Sequence, residues 1–62
     1  MELAIAKIEK LMVMYGIKNQ SELARRIDES RQIISLDFKN KGLQRIEKYA
    51  ELFEIDVKDL IK

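Results

Sequence analysis

The sequence contains no cysteine and no histidine. That excludes disulfide bridges and removes the thiolate and imidazole ligands of the usual zinc sites. A reducing cytoplasm is compatible with this usage, and a cytoplasmic location is expected. There is no proline and there are only two glycines, so little interrupts helical segments and an all-helical chain is expected. No apolar run approaches the roughly 18 residues of a membrane span. The N-terminus lacks a basic region followed by an apolar stretch and a small-residue cleavage site, so no signal peptide is expected. No glycine-rich phosphate loop is present, and no carboxylate pair is spaced for acid–base work. An enzyme is therefore not expected, nor is a cofactor, a metal or a small-molecule ligand.

What is present fits one small domain. Sixty-two residues allow a single core, near the lower limit for folding without a staple. Net charge is only +1, but its distribution is uneven. Residues 1–17 are balanced, residues 18–48 carry a surplus of three positive charges, and residues 49–62 carry an excess of two negative charges. A mildly basic middle suits one face meeting phosphates while the C-terminal segment stays away.

The stretch Gln20–Ser35, QSELARRIDESRQIIS, organises the chain. Asn19 is placed to cap a first short helix, with Glu22 three residues later to complete a capping box. Leu23, Ala24 and Ile27 share its inner side, and Asp28–Glu29 form a turn. Ser30 is placed to cap a second helix that starts at Arg31 and reaches the neighbourhood of Phe38. Cap, two turns, corner, cap, two turns is the outline of a helix-turn-helix. Small Ala24 suits the point where two steeply crossed helices meet.

Around this pair the spacing predicts further helices. Over residues 2–15, Leu3, Ile8, Leu11, Met12 and Tyr15 mark one face. Gly16 supplies a left-handed stop and Ile17 packs back on Met12. Ile5, Val13 and Met14 widen the apolar arc. That fits either a helix gripped on two sides or a surface for a second subunit. Lys39-Asn40-Lys41 reads as a loop closed by Gly42. A fourth helix is expected over roughly Leu43–Glu54, with Leu43, Ile46, Ala50 and Phe53 at helical spacing, flanked by Tyr49 and Leu52. Asp56 caps a short fifth helix, Val57–Ile61, with Ile55 and Leu60 as a hydrophobic staple.

Gln20, Leu23-Ala24, Ile27, Ser30, Ile34-Ser35, the run Leu43–Ala50 and the segment Ile55–Leu60 together resemble the lambda-repressor-like, Cro-type helix-turn-helix family of phage and bacterial transcriptional regulators. The resemblance covers about residues 3–61. It implies a compact five-helix DNA-binding domain of all-α class, with a helix-turn-helix at helices 2 and 3. Four departures are visible. Asp28 stands where the family has Gly, charged Glu29 stands where an apolar residue plugs the core, and Asp37 stands where a large apolar residue is common. Leu36 or Phe38 would then have to fill that last place. The loop before Leu43 is also shorter than the family's, by about three residues.

The resemblance also implies a function. The third helix would lie in the major groove of double-stranded DNA, with Ser30, Arg31, Gln32, Ser35 and Leu36 at the reading positions. Gln20, Lys39, Asn40 and Lys41 would hold phosphates. A Cro-like repressor acting as a homodimer on a palindromic operator is the leading expectation, with a dimer contact weak enough without DNA that dimer formation could be coupled to binding. A protein-interaction module on the same fold, such as a repressor modulator or an antitoxin, is the alternative. Other roles are open for individual residues: an ion pair with Asp28 or Glu29 for Arg31, an ordinary exposed position for Gln32, a solvated loop for Lys39 and Lys41, and the core for Leu36.

Overall fold

A computed structural model describes all residues, 1–62. It contains four α-helices: α1 (Ile5–Met14), α2 (Gln20–Arg26), α3 (Arg31–Asn40) and α4 (Ile46–Phe53). The expected fifth helix is a single 3₁₀ turn over Val57–Leu60, opened as expected by Asp56, whose carboxylate accepts the Lys58 N–H at 3.3 Å. Four residues suffice for i→i+3 bonds but not for a settled α-helix. The fold is therefore all-helical with four helices rather than five.

The local signals that hold are the caps. Asn19 Oδ1 accepts the Glu22 N–H at 2.9 Å, and Ser30 Oγ accepts the Ile33 N–H at 3.3 Å. The reciprocal half of the capping box is missing, because the Glu22 carboxylate faces Arg26 instead, at 4.0 Å. Gly16 is left-handed at φ 70°. The Ile17 N–H then reaches the Met12 carbonyl at 2.8 Å and the Gly16 N–H reaches Val13 at 3.2 Å, the paired bonds of a Schellman ending. The same ending recurs without glycine. Asp28 (φ 58°) lets the Glu29 N–H reach Ala24 at 2.8 Å, and Glu54 (φ 56°) lets the Ile55 N–H reach Ala50 at 3.0 Å. Each such residue forgoes about 1–2 kcal/mol relative to right-handed backbone.

Several boundaries differ from expectation. Leu3 is not helical: it lies in an isolated antiparallel bridge with Ile61, and α1 starts at Ile5. Lys39 and Asn40 are not loop residues. They form the last turn of α3, which ends at left-handed Lys41. Helix α4 starts at Ile46, because Leu43–Arg45 turn first and the Ile46 N–H bonds the Leu43 carbonyl at 3.2 Å.

Helix α2 packs on α3, while the 3₁₀ turn packs on α4 and α1. The core gathers Ile8 and Leu11 of α1, Leu23 and Ala24 of α2, Ile34 of α3, and Tyr49, Ala50 and Phe53 of α4. Leu3 and Leu60 close it from the chain ends. Tyr49, expected on the flank, is wholly buried. Tyr15 joins the ends of α1 and α4: its hydroxyl donates to the Phe53 carbonyl at 2.9 Å, and the two rings meet edge to face at 5.3 Å. The wide arc on α1 is only partly used. Ile5 packs against the core, whereas Val13 and Met14 are 79% and 69% exposed.

Candidate nucleic-acid interface

The caps at Asn19 and Ser30 and the left-handed Asp28 hold α2 and α3 at a fixed corner. With α3 set by burial of Ile34 and Asp37, residues Arg31, Gln32, Ser35, Leu36 and Lys39 follow one another at steps of one and three. They form one exposed strip along the helix, with Asn40 at its edge. From Arg31 to Lys39 the strip is about 12 Å long. Ile33 and Phe38, half-buried, border it.

Every residue expected to read bases lies on this strip or at its head. Ser30 is exposed at the N-cap, with its oxygen engaged by the Ile33 N–H. Arg31 has no carboxylate within ion-pair distance, so the alternative pairing with Asp28 or Glu29 does not occur. Glu29 is held instead by Lys48 of α4. Gln32 and Ser35 are exposed. Leu36 is 51% exposed rather than in the core.

The expected phosphate group is divided. Gln20, half-buried at the start of α2, lines one surface groove with Lys18, Asn19, Arg31, Phe38 and the acidic Glu9. Lys39 and Asn40 sit at the far end of the strip. Lys41 is turned away toward the N-terminal segment, with its ammonium 3.9 Å from Glu2. Gln20 and Arg31 are thus brought together at one end, while Lys41 stands apart.

Asp37 resolves the third departure from the family pattern. Neither Leu36 nor Phe38 replaces it; the carboxylate itself occupies the inward position and is 2% exposed. Nε and Nη2 of Arg45 donate to its two oxygens at 2.6 Å each, and the Tyr49 hydroxyl donates at 2.8 Å. The Asp37 bond raises the Arg45 guanidinium above its ordinary value, and burial, followed by the same carboxylate, pushes the Tyr49 phenol well up. Neither Arg45 nor Tyr49 is marked for this cluster by the amino-acid sequence alone. The available signal was their separation of four, which stacks them on one face ahead of and inside α4.

Electrostatically, the cluster matters for the outward strip. Glu29 is paired with Lys48 and Asp37 is buried against Arg45, while Asp28 at the corner and Glu9 in the groove beside Arg31 make no ion pair. The strip itself presents Arg31 and Lys39 with no acidic residue on it. A small all-helical domain with a polar, mildly cationic helix face is what the fold and the site define. No protein-family model, curated protein or solved structure matches the chain. No helix is long and apolar enough to cross a membrane.

Proposed function

We propose that the chain is a sequence-specific double-stranded DNA-binding regulator of transcription. In this reading α2 and α3 act as a lambda-repressor-like helix-turn-helix, and α3 enters the major groove. The observation that carries the reading is the outward strip of α3, whose Arg31, Gln32, Ser35 and Lys39 side chains make no bond within the protein. A helix about 10–12 Å across fits a groove about 12 Å wide. Arg31 offers paired donors to guanine O6 and N7, Gln32 pairs with adenine N6 and N7, and Leu36 meets a thymine methyl. Gln20, Lys39 and Asn40 hold phosphates and set register. Lys41 joins them by exchanging its exposed pair with Glu2, a bond of little strength in water.

One domain of this size covers little DNA. The reading therefore includes a homodimer on a palindromic operator, with half-sites about 34 Å apart, acting in the cytoplasm as a Cro-like repressor. Selection of the purified protein against random duplex DNA tests this. A palindromic motif is expected among the winners, with affinity falling steeply as salt rises, since phosphate contacts release counterions.

A protein-interaction module on the same fold, such as a repressor modulator or an antitoxin, is the second reading. Exposed Val13 and Met14, adjacent at the end of α1, favour it. A folded protein that enriches no motif at moderate salt supports this module over the regulator.

A further inference from the structure

Asp37 lies at the middle of the inward face of α3, between the apolar Ile34 and Phe38. A carboxylate there breaks the apolar pattern, and all its side-chain donors come from outside α3. Arg45 stands at the N-cap of α4 and Tyr49 one turn inside it, with the Tyr49 N–H bonded to the Arg45 carbonyl at 3.1 Å. The Asp37 carbonyl in turn accepts the Lys41 N–H at 2.7 Å, where the connection to α4 begins. One residue is fastened by backbone and side chain to both ends of the α3–α4 connection.

Apolar contacts resist separation but tolerate small slides and rolls. A forked guanidinium–carboxylate pair with a third, phenolic donor accepts a much narrower range of poses. Ser35 and Leu36 directly precede Asp37 on the same helix, and Arg31 and Gln32 lie about a turn and a half earlier. Any shift of Asp37 against α4 displaces all four together. We infer that Asp37, Arg45 and Tyr49 are positioning residues of the reading helix. They hold α3 in the orientation in which its outward side chains meet base edges, and so contribute to sequence discrimination more than to overall affinity. The inference rests on the DNA-binding reading above. Phosphate-borne, non-specific binding survives a small change of helix pose, whereas base contacts need hydrogen-bond geometry.

Two variants test it. Asp37→Leu/Arg45→Met/Tyr49→Phe fills the site with apolar groups, and Arg45→Lys keeps the charge but loses the fork. For each, circular dichroism reports folding. The readout is the affinity for the selected duplex divided by that for an unrelated duplex at the same salt. The ratio is expected to fall by at least about tenfold, the discrimination of one good base contact. Affinity for the unrelated duplex should stay within about twofold of wild type. A folded variant that keeps the wild-type ratio, or loses affinity equally for both duplexes, overturns the inference. Should the triple variant not fold, Arg45→Lys decides the matter alone. A wild-type protein without any preferred duplex overturns the DNA-binding reading itself, and that result is visible before a variant is made.

Discussion

Replacing Arg45 by Met keeps an unbranched stem and deletes both guanidinium bonds to Asp37. The carboxylate then retains only the Tyr49 hydroxyl at 2.8 Å. Because Asp37 is 2% exposed, water cannot take the place of the lost donors while the fold stays closed. The Arg45 side chain is 17% exposed and that of Asp37 3%, so removing the guanidinium costs up to about 3–5 kcal/mol, mostly through the carboxylate charge left buried. A domain of this length has about 3–9 kcal/mol of total stability. The variant is therefore expected to lose a third or more of it, and a loss of about 4 kcal/mol lowers Tm by roughly 15–30 °C in so small a domain. Urea and thermal melts followed by circular dichroism at pH 7 measure this. The informative comparator is Asp37→Leu/Arg45→Met/Tyr49→Phe, which leaves no orphaned charge and is expected within about 1 kcal/mol of wild type. Two results refute the reasoning. An Arg45→Met variant within about 1 kcal/mol of wild type means that Asp37 is not desolvated. A triple variant as unstable as the single one means that apolar packing cannot substitute for the cluster.

Glu54→Gly should stabilise the domain by about 0.5–1 kcal/mol, because Glu54 is exposed and left-handed at φ 56°; a lower urea midpoint argues against that backbone. Ala24→Leu should destabilise by roughly 1–3 kcal/mol through overpacking, since Ala24 is buried on the helix that packs against α3; a wild-type midpoint places the crossing elsewhere. Gln32→Ala should leave stability within about 0.5 kcal/mol of wild type and cost about 1–3 kcal/mol on the preferred duplex, with relaxed specificity there. Unchanged preference in a repeated selection removes Gln32 from the reading set. The Tyr49 phenol is held above its ordinary value in the fold, so its contribution is full below about pH 10 and is lost as pH rises beyond it, by up to about 1.4 kcal/mol per pH unit. Tyr49→Phe should lack this added slope in urea melts between pH 10 and 11; equal slopes would show that the phenol ionises as freely folded as unfolded.

What was legible in the sequence was local. Asn19, Ser30, Asp56 and Gly16 act within three or four residues of themselves, and each does what its chemistry suggests. The outward face of α3 was not legible in the same way. Its reading positions rested on the family resemblance, Leu36 was open between groove and core, and the phase of the helix is set only by the burial of Ile34 and Asp37. Polar composition misled where it hid a helix: Lys39 and Asn40 look like loop residues, yet α3 runs through them because Asp37 and the left-handed Lys41 stop it later. The fate of Asp37 was not legible. A carboxylate at a core position is an anomaly until its partners are known, and these lie eight and twelve residues away across a turn. Leu3 followed the helical spacing of α1 but pairs as extended chain, because its partner is Ile61 at the other end. Periodicity carries no information about such a distant partner.

The bridge between Leu3 and Ile61 makes the two ends of the chain one object. Glu2 and Lys62 exchange both of their backbone bonds, and Ala4 reaches the Leu60 carbonyl at 2.8 Å. The Leu3 N–H is also tied to the carbonyl of Lys41, at the close of α3. The molecule is in effect a ring, its clasp at the trailing end of α3 and about 15 Å from the leading end. Fraying at either terminus opens both. A tag fused to either end leaves from the same corner, with the whole length of α3 between it and Arg31.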